Sequence, residues 1–205
     1  MAIALVTRHS PSASGSTGGS TGNTTVVSGH PPDSVKAINN PAAALPSGWS
    51  PETVPSSELG TAGGFSIGVP SGWTVRQKSL STYLDAPDGA QYLDVDLTKH
   101  DYADMLAEAE YVERNAIAQG HLPGYHRVSL RQVTIRGTAG AFWAFTWVTP
   151  AGVTMRVDDL LFELQTSSRP QSYAVYFTSP NADFAGSRGL PLFERMLRTF
   201  EPVTS

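Results

Sequence analysis

The sequence has no cysteine among its 205 residues. That absence excludes disulfides, iron–sulfur clusters, thiolate zinc sites and a cysteine nucleophile, and it says nothing about compartment. Charge is scarce as well: Asp, Glu, Lys and Arg make up 16% of the chain, against about 25% in an ordinary soluble domain. No basic stripe exists and the formal net charge is −4, which argues against nucleic acid and against anionic membrane surfaces as partners. No run approaches the roughly 18 consecutive apolar residues of a membrane helix. The opening Met1-Ala2-Ile3-Ala4-Leu5-Val6 has neither the basic region nor the apolar core of a signal peptide. Membrane attachment is expected only through an upstream helix whose last turn these residues would supply.

The scarcity is uneven. Residues 1–57 hold four charges (Arg8, Asp33, Lys36 and Glu52), so 28 of the 32 lie in 58–205. Of 19 aromatic residues, only Trp49 precedes Phe65. Between Ser10 and Gly29, 15 of 20 residues are Ser, Thr or Gly, a composition with nothing to bury against its ordering entropy. Pro31, Pro32, Pro41, Pro46, Pro51 and Pro55 follow. The expected organisation is a disordered Ser/Gly/Thr/Pro-rich tether over 1–57 and a single domain over 58–205.

Within that domain the periodicities alternate between two and 3.6. Phe65, Ile67 and Val69 predict a strand, and Ser81 to Asp85 predicts another. Ala90 to Thr98 is a third, with Tyr92 on one face and Leu93, Val95 and Leu97 on the other. Tyr102, Met105, Leu106, Ala109, Val112, Ala116 and Ile117 fall on a helical stripe, with Asp101 as its expected N-cap and Gly120 as its stop. The acidic face of this helix (Glu108, Glu110, Glu113) is expected to be solvated.

In the second half, Trp143, Phe145 and Trp147 point one way and Phe142, Ala144 and Val148 the other. Such a strand is covered on both sides. In the next strand Val153, Met155 and Val157 are out of phase with Leu160, Phe162 and Leu164, so a β-bulge is expected at Asp158-Asp159. Tyr173 to Thr178 forms a further strand. Leu192, Phe193, Met196, Leu197 and Phe200 form a last amphipathic helix, entered near Leu190-Pro191. The order of elements predicts an α+β domain, an antiparallel β-sheet with helices packed on it.

Phe65-Ser66-Ile67-Gly68-Val69-Pro70-Ser71-Gly72-Trp73, Tyr83-Leu84-Asp85-Ala86-Pro87-Asp88-Gly89 and Tyr92-Leu93-Asp94-Val95-Asp96 carry a resemblance. So do Ala141 to Trp147, Tyr173 to Thr178, Asp183-Phe184 and Phe193 to Pro202. Together they resemble a family of actinobacterial extracytoplasmic domains that follow a membrane helix and linker in serine/threonine protein kinases. The resemblance covers about residues 60–202. It implies a three-layer α/β/α sandwich similar to the PsbP-like fold, whose members mainly bind macromolecules, and it brings no catalytic motif. No kinase signature is present: there is no Gly-rich nucleotide loop, no His-Arg-Asp and no Asp-Phe-Gly.

The single formal catalytic match, Gly64-Phe65-Ser66-Ile67-Gly68, places Ser66 inside a strand rather than on the strand-to-helix turn that a nucleophile elbow requires. His100, His121 and His126 lie near Asp94, Asp96 and Asp101 in sequence but without metal-ligand spacing. His100-Asp101 reads as a helix entry. No catalytic, cofactor-binding or metal-binding residue is therefore expected, and no cofactor. Trp73, Tyr83, Tyr92, Trp147 and Tyr176 are the expected surface for a ligand or partner, since aromatic side chains are enriched at binding surfaces. The leading expectation is a non-enzymatic extracytoplasmic ligand-binding or sensing module. Its partner would be a small ligand, a cell-wall component or a protein. A soluble adaptor or assembly factor is the alternative, and a hydrolase the third.

Overall fold

The computed structural model describes residues 32–42, 44–167 and 169–204. The chain runs α1 (Asp33–Asn39), β1 (Ser50–Val54), a single-turn α2 (Ser56–Leu59), β2 (Gly63–Val69), β3 (Thr74–Lys78), β4 (Ser81–Asp85) and β5 (Tyr92–Asp96). It continues through α3 (Met105–Ala118), β6 (His126–Ile135), β7 (Thr138–Val148), β8 (Thr154–Gln165), β9 (Pro170–Pro180), α4 (Leu190–Leu197) and β10 (Glu201–Thr204). Seven strands form a large sheet in the order β3-β4-β5-β9-β8-β7-β6, and β1-β2-β10 form a small one. Every pairing is antiparallel. This is the α+β arrangement, an antiparallel sheet with helices packed on it, that the order of elements predicts.

Two cores explain the two-sided strands. On one face of the large sheet α3 buries Met105, Ala109, Val112 and Ala116 against Trp143, Phe145, Val157 and Leu161. On the other face α1, α4 and the small sheet close over Phe142, Leu160, Phe162, Val175 and Phe177. Phe200 joins the two sheets: its ring lies 6.0 Å from Phe65, 6.1 Å from Phe162 and 5.7 Å from Tyr173. Edge-on and offset contacts of this kind add to the burial of the rings themselves. Between β6 and β7, Arg136 and Gly137 both have positive φ, 49° and 83°, as a two-residue type I′ hairpin turn demands. The strained Arg136 is held by donating its backbone N–H to Asn39 Oδ1 at 2.6 Å and its guanidinium to Glu201 Oε2 at 3.1 Å.

Asn39 belongs to α1, and this corrects the expected boundary at 57/58. The described part of the expected tether is folded into the domain: Val35, Ala37 and Ile38 are buried, and β1 pairs residue for residue with β2. Proline-rich composition hid a seven-residue helix whose buried side chains are spaced i, i+2, i+3. The rest of the expected tether, 1–31, lies outside the described residues.

Three smaller expectations also change. No bulge occurs at Asp158-Asp159; both stay in register, opposite Ala144 and Trp143 on β7 and opposite Phe177 and Tyr176 on β9. The apparent slip arises because β8 is apolar on both faces, each covered by its own core. The α3 N-cap is Asp104, whose carboxylate accepts from Leu106 N and Ala107 N, rather than Asp101. The acidic helix face is only partly solvated. Glu108 and Glu113 are buried, Glu108 accepting from the Asp101 and Tyr102 backbone N–H groups and Glu113 from Tyr125 and Arg127. Gly120 stops the helix as expected: with φ +69° it lets His121 N and Gly120 N donate to Ala116 O and Ile117 O, the paired bonds of a Schellman motif.

Candidate functional site

Cross-strand register sets Arg76, Tyr83, Asp94, Tyr176, Asp159 and Trp143 in one row over β3, β4, β5, β9, β8 and β7. All lie on the face that carries α3, but α3 packs chiefly on β6, β7 and β8. The β3–β5 end of the row is therefore beside the helix rather than under it. There Tyr83 and Tyr92 have ring centroids 5.9 Å apart, Tyr92 and Tyr176 5.8 Å apart, and Arg76 lies 4.0 Å above the Tyr83 ring. Tyr83 is buried; Tyr92, Asp94 and Tyr176 are half-buried.

The electrostatics follow from packing carboxylates among rings. Burial, then the neighbouring charge of Asp96, pushes Asp94 well above the ordinary carboxylate range against the opposing hydrogen bond from Tyr83. Burial raises Tyr83 to about 12, and Tyr176 moves well up for the same reason. Asp94 Oδ1 and Thr178 Oγ1 are both buried without a hydrogen-bond partner. Thr178 stands opposite Tyr92 in register.

Of the five aromatic residues expected to form one surface, Tyr83, Tyr92 and Tyr176 converge. Trp147 is on the same face but inside the core under α3, and Trp73 packs on the core of the opposite face. Two more aromatic residues are structural: Trp143 Nε1 donates to Tyr125 Oη at 3.1 Å, and Tyr125 donates to Glu113. Ser66 lies mid-strand in β2 and accepts from Thr53 Oγ1 at 3.1 Å, the surroundings of a strand serine. His100 is buried, with its backbone N–H on Ser172 Oγ and its Nδ1 3.2 Å from Met105 Sδ.

Asp158 sits on the opposite face, paired with Arg156 at 2.9 Å. Burial outweighs the Arg156 charge and raises Asp158 to about 6. A carboxyl whose folded pKa exceeds its unfolded value holds its proton longer in the folded state, so stability falls as pH rises from about 4 to about 6. The loss attributable to Asp158 is expected to be about 2–3 kcal/mol. Urea unfolding of wild type and Asp158→Asn at a series of pH values checks it: the difference between the two curves should change across that window and be flat above it.

A concavity of about 450 Å³ lies elsewhere, where α2 and the start of β2 meet the ends of β5, β8 and β9. Leu59, Leu80 and Leu97 form its apolar walls, and Lys99, Arg169 and Glu163 its charged groups. Its floor is Gln171. The Oε1 of Gln171 accepts from Ala62 N and Gly63 N at 3.0 and 3.2 Å, while its Nε2 donates to Leu97 O and Ser172 O at 3.1 and 2.7 Å. Beside it Ser172 Oγ donates to Glu163 Oε1 at 2.7 Å. No local sequence signal marks this cleft, because its lining comes from five separate stretches of chain.

Solved structures place the fold in company. The solution structure of PsbP from Synechocystis has a TM-score of 0.50 at 8% identity, covering 78% of this chain and 96% of that one. The Ran-binding protein Mog1p of Saccharomyces cerevisiae gives 0.48 at 13% identity, covering 75% of this chain and 95% of that one. LpqN of Mycobacterium tuberculosis, described as involved in cell envelope biogenesis, gives 0.48 at 10% identity, covering 76% and 91%. No curated relative matches the chain. Residues 60–202 match the family model described as the serine/threonine kinase C-terminal domain, without a kinase domain alongside, and the chain belongs to that family.

Proposed function

We propose that this is a non-catalytic sensing module, displayed outside the cytoplasm behind its Ser/Gly/Thr-rich leading segment, and that the cleft over Gln171 takes its ligand. The cleft carries the reading. At about 450 Å³ it is of the size that buries a small molecule, with apolar walls and a few convergent polar groups. Lys99 and Arg169 at its mouth favour a carboxylate-bearing ligand, while Glu163, anchored by Ser172, gives it a second polar end. Membership of a kinase C-terminal family supports a role in detection rather than chemistry.

Thermal unfolding with soluble cell-wall fragments and small carboxylates tests this. A ligand at a hundredfold excess over its Kd stabilises by about 2.7 kcal/mol, or roughly 5–10 °C in a domain of this size. The double variant Lys99→Glu, Arg169→Glu alters exposed side chains and is expected to abolish the shift while unfolding at an unchanged midpoint. Shifts that survive the double variant overturn the cleft as the site. Recovery of one stoichiometric protein partner with no ligand-induced shift turns the reading to an adaptor.

A further inference from the structure

We propose that the half-buried end of the tyrosine row, over β4, β5 and β9, docks an arginine side chain presented by a polypeptide partner. The site is distinct from the cleft and does not depend on it. The fold already performs this recognition once within itself. Arg76 lays its guanidinium on the Tyr83 ring and donates from Nε and Nη2 to the two Asp85 oxygens at 3.0 and 3.3 Å. A ring for the flat face and a carboxylate for the edge are what a guanidinium requires, and they suit it better than an ammonium.

The next rungs repeat that combination without a guanidinium. Tyr92 and Tyr176 are stacked at 23° between planes, and Asp94 stands in register with Tyr176 on one side as Asp159 does on the other. Asp96 adds a third acidic group two residues from Asp94 on the same face. Arg76, the cation that faces them, is committed to Asp85. Asp94 Oδ1 and Thr178 Oγ1, both buried without a hydrogen-bond partner on this face, flank Tyr92 and Tyr176. A guanidinium lying on these rings supplies the counter-charge and the donors they lack. The rings are half-buried beside α3 rather than under it, within reach of a side chain held on a polypeptide.

The test is titration of the full chain with the acetylated, amidated tripeptide Gly-Arg-Gly, followed by tyrosine ring NMR shifts, beside the same peptide carrying citrulline, the neutral isostere. Saturation with a low-millimolar or tighter Kd is expected, with citrulline weaker by about tenfold or more. Asp94→Asn should weaken binding to a similar degree without lowering the unfolding midpoint, because burial opposes the charge on Asp94 and Asn keeps its size without one. Arg169→Glu, in the cleft, should bind as wild type does. Equal binding of citrulline, unchanged binding by Asp94→Asn, or no saturation overturns the proposal. Free arginine amide binding as tightly as the tripeptide overturns the polypeptide source.

Discussion

A chain beginning at Glu58 is expected to lose cooperative unfolding, whereas one beginning at Pro32 keeps it. The segment between them supplies Val35, Ile38 and Val54, each under 5% exposed. Burying such a side chain contributes about 1.5–3 kcal/mol, so the three together approach the 5–15 kcal/mol that holds a whole domain. More is lost than burial. Val54, Thr53, Glu52, Pro51 and Ser50 pair with Phe65 through Val69, so without β1 the small sheet keeps only β2 and β10 and exposes an apolar edge. Asn39 also leaves, and with it the clamp on the Arg136 turn. The match to the kinase C-terminal family starts at residue 60, so a truncation guided by that match removes part of the core. Equilibrium urea unfolding separates the outcomes: the shorter chain should show a lower midpoint and a shallower slope. Equal midpoints and slopes would restore the boundary at 57/58.

Composition misled at that boundary because it averages over a window longer than the element. α1 has only seven residues, and its apolar spacing is swamped by the Pro and Ala around it. The strands were more legible. Trp143, Phe145 and Trp147 alternate with Phe142 and Ala144, and two-sided burial is written in that alternation. The same physics misread β8, where Val157 and Leu160 belong to different cores in unbroken register.

Charge was the weakest guide. Glu108 and Glu113 look like solvent residues, yet one closes the entry to α3 and the other ties α3 to β6. Only the three-dimensional partners reveal those roles. For the candidate site the residue types were readable and their convergence was not. Tyr83, Tyr92 and Tyr176 meet because β9 inserts between β5 and β8, a long-range pairing that no local pattern encodes. The cleft left no local trace at all.

Gln171 bears the second large effect. Gln171→Leu is expected to destabilise the domain by about 3–5 kcal/mol, since each buried backbone group left without a partner costs about 1–3 kcal/mol. Four such groups depend on it: two donors at Ala62 and Gly63 and two acceptors at Leu97 and Ser172. They lie on the start of β2, the exit of β5 and β9, so one amide fastens the small sheet to the large one. Leu is of similar size and adds no cavity, which isolates the hydrogen bonds from packing. Gln171→Glu divides the effect further. An ionised Glu still accepts from Ala62 and Gly63 but faces two carbonyl oxygens, and only its protonated form can donate to one of them. Its deficit relative to wild type should therefore shrink as pH falls below the ordinary carboxylate range. Unfolding midpoints of the three proteins at neutral and acidic pH decide it. If Leu costs less than about 1 kcal/mol, the cleft floor is held by burial alone and the amide is incidental. If Glu is as damaging in acid as at neutral pH, the two acceptors contribute little and the clamp lies in the donors of Ala62 and Gly63.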